Sequence, residues 1–280
     1  TFASWAKVDG IDATQACCGC GGGAAARHLQ IINGGSAHLK NLHFKGGNSL
    51  RYFRGGNSLQ SFVTDGGSIW MNDGHLVVDF CILESGDLGE VARNGGLIYA
   101  KNSNVKIQNS KLRETHASGF GGAMYVQDSR LEIRSSDFYS CSSGTGGGLS
   151  AAFSSVVDIA SSTFSSNYAS LGGSAIYVHA SQMKINDTLF DSNIIDTTAT
   201  ESSTYDHGWN AGIIVLDANI NITRTAFSYK QELPQAHLPS PQPQVHYGSA
   251  IGLMTDSHVS VLGGENKFEY NPHPGTSSCP

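Results

Sequence analysis

Three observations in the 280-residue sequence predict an all-β fold, a parallel β-helix (solenoid) of about 26 residues per coil with Cys-rich ends. The first is a repeat: Gly95, Gly121, Gly147 and Gly173 follow one another at 26-residue intervals. After each, at offsets of ten, twelve and seventeen, come Val105, Ile107 and Leu112; Leu131, Ile133 and Phe138; Val157, Ile159 and Phe164; and Met183, Ile185 and Phe190. The second is alternation of polarity within each copy, as in Leu131-Glu132-Ile133-Arg134, which is the signature of a half-buried strand. The third is proline: all seven lie at or beyond Pro234, so the preceding chain lacks the residue that interrupts sheet ladders. Units this short cannot bury a core alone and must stack. Hairpins between them would break the fixed offset, whereas coiling in register preserves it and aligns like residues in columns about 4.8 Å apart.

Taken in chain order, residues 1–27 carry Cys17, Cys18 and Cys20 beside a glycine run and read as the end of a Cys-rich module or cap. Residues 28–273 form the predicted β-helix. A nine-residue tandem, Gly46-Gly-Asn-Ser-Leu-Arg-Tyr-Phe and Gly55-Gly-Asn-Ser-Leu-Gln-Ser-Phe, fits the coil period poorly and leaves residues 44–62 unplaced. Beyond it, one strand follows each Gly pair (Ala123–Val126, Ala175–Val178), a second spans offsets ten to thirteen, and a third surrounds the Phe. Offset twelve runs Val78, Ile107, Ile133, Ile159, Ile185, Ile222, and offset seventeen runs Leu83, Leu112, Phe138, Phe164, Phe190, Phe227; both are core columns. Outward offset eleven, Lys106, Glu132, Asp158, Lys184, reads as a solvated charge ladder in which each carboxylate has a lysine neighbour. Insertions are expected at 194–209 and at 230–247, the second holding Pro234, Pro239, Pro241 and Pro243. Residues 274–280, with Cys279, read as the start of a Cys-rich tail.

Composition narrows the function classes. A formal charge of −6, with 17 Lys and Arg spread along the chain, excludes nucleic acid as an expected partner. No run of 18 apolar residues exists, so this segment is not expected to insert in a membrane. Cys17, Cys18, Cys20 and Cys279 are candidate disulfide cysteines, which implies an oxidising compartment and a secreted, cell-surface or organelle-lumen location. Cys17 and Cys20 form a C-x-x-C, but no second pair follows at zinc-site spacing, and no resident metal is expected. Asn186-Asp-Thr and Asn221-Ile-Thr are candidate glycosylation sequons.

The GGA-x-Y-V segment at Gly121–Val126, Ser174-Ala-Ile-Tyr-Val178, and the F-x-x-N segments Phe164-Ser-Ser-Asn167, Phe190-Asp-Ser-Asn193 and Phe268-Glu-Tyr-Asn271 resemble the repeats of chlamydial polymorphic outer membrane proteins. More broadly, the chain resembles the right-handed parallel β-helices of the pectin-lyase-like superfamily, a fold shared by adhesins and polysaccharide enzymes. The amino-terminal ASWAKVDGIDATQACCGCGGG resembles part of a Cys-rich module of secreted algal and protist proteins, and the last seven residues resemble the start of a Cys-rich extracellular repeat.

The superfamily resemblance implies that an enzyme would gather carboxylates, often on Ca²⁺, beside a cation. The nearest column is offset seven, Asp73, Asn102, Asp128, Ser154, with Lys101 and Arg130 close by. Its two carboxylates are two coils apart, and Asp and Asn are also what a tight turn demands. Offset four reads Trp70, Tyr99, Tyr125, Ala151, Tyr177, Ile214, an outward aromatic strip. Such a strip marks a protein contact, a sugar-stacking platform, or a surface under a folded-over segment. The expected function is a non-catalytic structural or interaction module for adhesion or assembly, with other proteins or glycans as partners. The alternatives are a lyase or hydrolase of acidic polysaccharide, which would need Ca²⁺ or a carboxylate cluster around Asp73 and Asp128, and a lumenal subunit of a larger complex; no cofactor is expected outside the lyase alternative.

Overall fold

A computed structural model of the chain describes residues 7–8, 11–12, 27–47, 50–55, 58–63, 65–85, 92–195, 211–229, 249–263 and 266–270. Among them there are strands and turns and no helix. Parallel strands line three faces of a solenoid. The first face is built from Ile98–Lys101, Met124–Gln127, Leu149–Ala152, Ile176–His179, Ala211–Leu216 and Ser249–Met254. The second comprises Asn104–Gln108, Arg130–Arg134, Val156–Ala160, Gln182–Asn186, Asn219–Thr223 and His258–Leu262. Two long strands, Leu29–Lys40 and Ile69–Asp79, run through both faces unbroken and join them into one sheet. The third face stacks His43–Lys45, Ile82–Glu84, Lys111–His116, Asp137–Thr145, Thr163–Ser165, Leu189–Asp191, Ala226–Tyr229 and Lys267–Tyr270.

Register follows the repeat on the second face, where Asn104 pairs with Arg130, Arg130 with Val156 and Val156 with Gln182. The next partners, Asn219 and His258, lie farther along the chain and absorb the two insertions. Both inward columns are as read from sequence. The Phe column is a stack of near-parallel rings, with centroids 4.7 Å apart for Phe138 and Phe164, 5.3 Å for Phe164 and Phe190, and 4.9 Å for Phe190 and Phe227. Apolar burial and ring stacking thus act along one line through the core. At the last described coil the line meets solvent: Phe268 stacks on Phe227 at 5.1 Å yet is 55% exposed.

Polar ladders hold the corners between the faces. The backbone N–H groups of Ser103, Ser129 and Ser155 each donate to the hydroxyl of the serine one coil later, at 3.0, 3.3 and 3.3 Å. A second serine ladder runs from Ser110 to Ser136 to Ser162 at 3.1 and 3.2 Å. Cys81 stands at its head, its N–H donating to Ser110 Oγ and its thiol to the Asp79 carbonyl. Asn167 and Asn193 form a third, buried ladder, which gives the F-x-x-N motif its physical meaning. These contacts satisfy backbone groups that the turns remove from the sheets.

The Gly pairs are explained by close approach. Gly95, Gly121, Gly146 and Gly173 have φ of 62°, 66°, 70° and 62°, the left-handed region, and their successors pack directly on the next coil. One position corrects the sequence reading: Met124 pairs with Leu149, and Leu149 with Ile176, so on the first face the spacing is 25 and then 27 residues. Within Gly146-Gly147-Gly148 it is Gly146 that takes the left-handed turn, and the offset-four residue is Ser150 instead of Ala151.

The tandem near the start lies outside the coil pattern. Leu50–Gly55 and Ser58–Val63 pair with each other antiparallel, Leu50 opposite Val63, as a hairpin. The charge ladder also differs in detail. Lys106 reaches Glu132 at 3.5 Å, whereas Asp158 binds Arg134 at 2.7 Å, because guanidinium spans the diagonal between strands.

On the outer side of the third face, Glu84 is buried and bound by Arg113 at 2.6 Å, His43 at 3.1 Å and Lys45 at 3.6 Å. Burial pushes its pKa up, but hydrogen bonding and charge from Arg113, then from His43, outweigh this and hold it below 4.5. The folded state therefore gains from ionised Glu84 above pH 4.5 and loses that gain as pH falls through the lowered folded value. Glu84→Gln is expected to flatten the acid limb of the stability profile below that pH, measured by thermal melts between about pH 7 and about pH 3.

Candidate interaction face

The first face carries its side chains outward at Trp70, Tyr99, Tyr125, Ser150, Tyr177 and Ile214, which are successive partners across the coils. Trp70 and Tyr99 stack with centroids 6.2 Å apart, and Tyr99 and Tyr125 at 5.4 Å. Ser150 interrupts the stack. Its small side chain turns to hydrogen-bond the Thr145 carbonyl at 2.9 Å, and the Phe120 ring closes the ring contacts around it, 6.2 Å from Tyr125 and 5.9 Å from Tyr177. From Tyr177 the contacts continue to His179 at 6.4 Å and from His179 to Phe153 at 5.3 Å. Seven aromatic side chains are linked in one ribbon along the solenoid.

The expectation that the four sequence-predicted aromatics are exposed is corrected. Tyr99, Tyr125 and Tyr177 are only 9%, 8% and 6% exposed, and Trp70 is half-buried with the Arg27 guanidinium 5.9 Å over its ring. Rings on adjacent coils cover each other from Trp70 to Tyr125, and Phe120 covers Tyr125 and Tyr177. The surface is presented instead by Phe120 and Phe153, 41% and 46% exposed, which the column did not contain. Phe153 sits at φ 47°, a conformation that costs a bulky residue about 1–2 kcal/mol, in a turn column otherwise held by Asp, Asn, Ser, Ala and Thr. The sequence signals were a Phe directly before the Gly pair and a Phe where the turn calls for a small polar residue.

Polar groups edge the ribbon. Asp65 accepts from Asn94 Nδ2 at 2.9 Å and lies 3.4 Å from Arg93. Burial, together with the nearby Tyr99, Asp65 and Asp128 charges, pushes the Tyr125 phenol up to about 12. Burial and Asp65 likewise raise Tyr99, and burial and Asp217 raise Tyr177. All three are neutral donors at physiological pH. Among the described residues, the hydroxyls of Tyr99 and Tyr125 have no hydrogen-bond partner.

The alternative site at the offset-seven turn does not assemble. Asp73, Asn102, Asp128 and Ser154 have φ of 58°, 47°, 49° and 52°, so their side-chain types are those a left-handed turn residue favours. Asp128 accepts from Gln127 Nε2 at 3.1 Å, and Asn102 separates it from Asp73. These residues do not fit a Ca²⁺ ion, and among the described residues no three His, Cys, Asp or Glu are grouped to hold a metal. Cys17, Cys18, Cys20 and Cys279 lie outside the described residues, as do 196–210 and 230–248, which hold most of the two insertions. Cys81 and Cys141 are buried free thiols. Asn221 is exposed on the second face; Asn186 is half-buried, with the Thr188 hydroxyl donating to its carbonyl at 2.8 Å. Against this fold and this face, the chain matches no protein family, no curated protein and no solved structure.

Proposed function

We propose that the chain is a non-catalytic interaction module, a secreted or lumenal rod serving adhesion or assembly, built as a right-handed parallel β-helix of the pectin-lyase-like kind. The observation that carries this reading is the aromatic ribbon, whose exposed members Phe120 and Phe153 stand on a scaffold of in-register coils. A ladder fixed at every corner holds outward groups at constant spacing with little conformational freedom, so a ligand meets a preorganised surface. The Cys-rich ends and the two sequons support placement in an oxidising compartment with glycan attachment at Asn221. The reading is tested against the lyase alternative by incubating the protein with polygalacturonate and Ca²⁺ and following ultraviolet absorbance of unsaturated uronate. A flat trace is expected. Sustained Ca²⁺-dependent turnover overturns the reading.

A further inference from the structure

We infer that the ribbon binds an uncharged, hydroxyl-rich polysaccharide laid along the solenoid axis, an assignment that rests on the interaction-module reading. Three features select this ligand class. The first is the pairing of free donors with nearby acceptors. The Tyr99 and Tyr125 hydroxyls are unpartnered among the described residues, and the carboxylates of Asp65 and Asp128 are close enough to act on both phenols electrostatically. Donors and anionic acceptors side by side suit sugar hydroxyls, which serve as both. The second feature is the sign of the rim. Asp65 and Asp128 act on the Tyr99 and Tyr125 phenols and Asp217 on Tyr177, while the guanidiniums here are engaged, Arg93 by the Asp65 carboxylate at 3.4 Å and Arg27 by the Gly66 and Asp65 carbonyls at 3.1 and 2.8 Å. A uronate or sulfated polymer would bring like charge against these carboxylates and meet Arg93 and Arg27 already committed to Asp65 and to backbone carbonyls.

The third feature is periodicity. Trp70 to Tyr177 spans four coil steps, about 19 Å at the strand spacing of about 4.8 Å, with an outward aromatic at every step except that of Ser150. A polymer of identical units can meet such a lattice repeatedly, whereas a folded protein surface has no matching repeat. The exposed faces of Phe120 and Phe153 lie beside this line and offer apolar contact to the C–H faces of sugar rings. Phe153 also retains a strained backbone that a turn residue such as Asn would relieve, so its ring is held at the surface against local preference.

The test is native affinity electrophoresis of the full chain through gels containing hydroxyethyl cellulose, mixed-linkage β-glucan or galactomannan, with polygalacturonate as the anionic comparison. Retardation is expected in at least one neutral polymer and not in polygalacturonate. Phe120→Ser combined with Phe153→Asn should weaken it at least tenfold while the melting temperature stays at or above that of the parent chain. Tyr99→Phe with Tyr125→Phe, which keeps the rings and removes the donors, should weaken it several-fold. Migration unaffected by every neutral polymer, retention by polygalacturonate of equal strength, or retardation that survives the Phe substitutions in a folded protein overturns the ligand class while leaving the interaction-module reading standing. Reducing ends released from a retarding neutral polymer support the ligand class and overturn the non-catalytic reading.

Discussion

Gly122→Ala is expected to open the solenoid between two central coils and to lower stability by about 4 kcal/mol, a loss reached only when packed backbone must move. A Cβ at Gly122 would lie 2.0 Å from the Gly147 carbonyl oxygen and 2.7 Å from both the nitrogen and the oxygen of Ser142. These are backbone atoms of the next coil and of the third face, so no rotamer change relieves the contact. Relief requires lengthening the bond from Gly122 N–H to the Gly146 carbonyl, 3.1 Å, and with it the first-face ladder on either side. The neighbouring positions are built alike, a Cβ at Gly96 falling 2.2 Å from the Gly122 oxygen and one at Gly147 falling 2.2 Å from the Ser174 oxygen. The glycine column is therefore a close-approach seam. Gly263→Ala, at an end position with nothing within 4 Å, should change stability by less than about 0.5 kcal/mol. Urea midpoints of the two variants decide the matter, and equal midpoints would remove the seam from the account.

The position of that defect matters as much as its size. In a stack where each coil touches only its neighbours, stability is close to a sum of coil and interface contributions. A weakened interface in the middle leaves two shorter arrays, only one of which holds the Phe stack: Phe138, Phe164, Phe190 and Phe227 lie on the carboxyl-terminal side, Leu83 and Leu112 on the other. The aromatic side is expected to persist to higher urea, so the Gly122→Ala transition should broaden or split.

The columns were legible in the sequence wherever side chains report their own environment. Ile133 and Phe138 are inward because period-two alternation and a constant offset both place them there, and Asp73 and Asp128 were readable as turn residues because short polar side chains stabilise left-handed turns. The slip to 25 residues at Gly146 was hidden in three consecutive glycines, any of which can adopt the required φ. Burial of Tyr99 and Tyr125 was hidden for another reason: alternation reports which side of a strand a residue faces, and not whether rings one coil away cover it. Phe120 was missed because it lies in a turn, outside any column, and reaches the face only because Ser150 leaves room. The hairpin at 50–63 escaped because its tandem sequence imitates a coil repeat while its spacing is far too short to form one.

Asn167→Leu is expected to be destabilising, about half as damaging as the glycine substitution, although the residues have similar volume and the site is buried. Asn167 Oδ1 accepts from the Cys141 N–H at 3.1 Å, and its Nδ2 donates to the Phe138 carbonyl at 2.9 Å and to Asn193 Oδ1 at 3.0 Å. Leucine removes the acceptor for one buried N–H and the donor to two buried oxygens. The Cys141 N–H and the Phe138 carbonyl lose this partner at about 1–3 kcal/mol each, against a gain of about 2 kcal/mol for burying the added apolar side chain, so the net loss centres on about 2 kcal/mol and reaches about 4 kcal/mol at most. Asn193 keeps its bond from the Asn167 N–H, 3.1 Å, which holds the damage near the upper coil of the ladder. Asn167→Asp separates the causes: it retains the acceptor and loses only the donors, while placing a carboxylate where burial disfavours charge. It should therefore destabilise more at pH 7 than at pH 4, where protonation restores a donor, whereas Asn167→Leu should show the same loss at about both values. Urea unfolding at the two pH values reads this difference. A loss for Asn167→Leu under about 1 kcal/mol would mean that the ring stack alone, and not the F-x-x-N ladder, fixes the register of the third face.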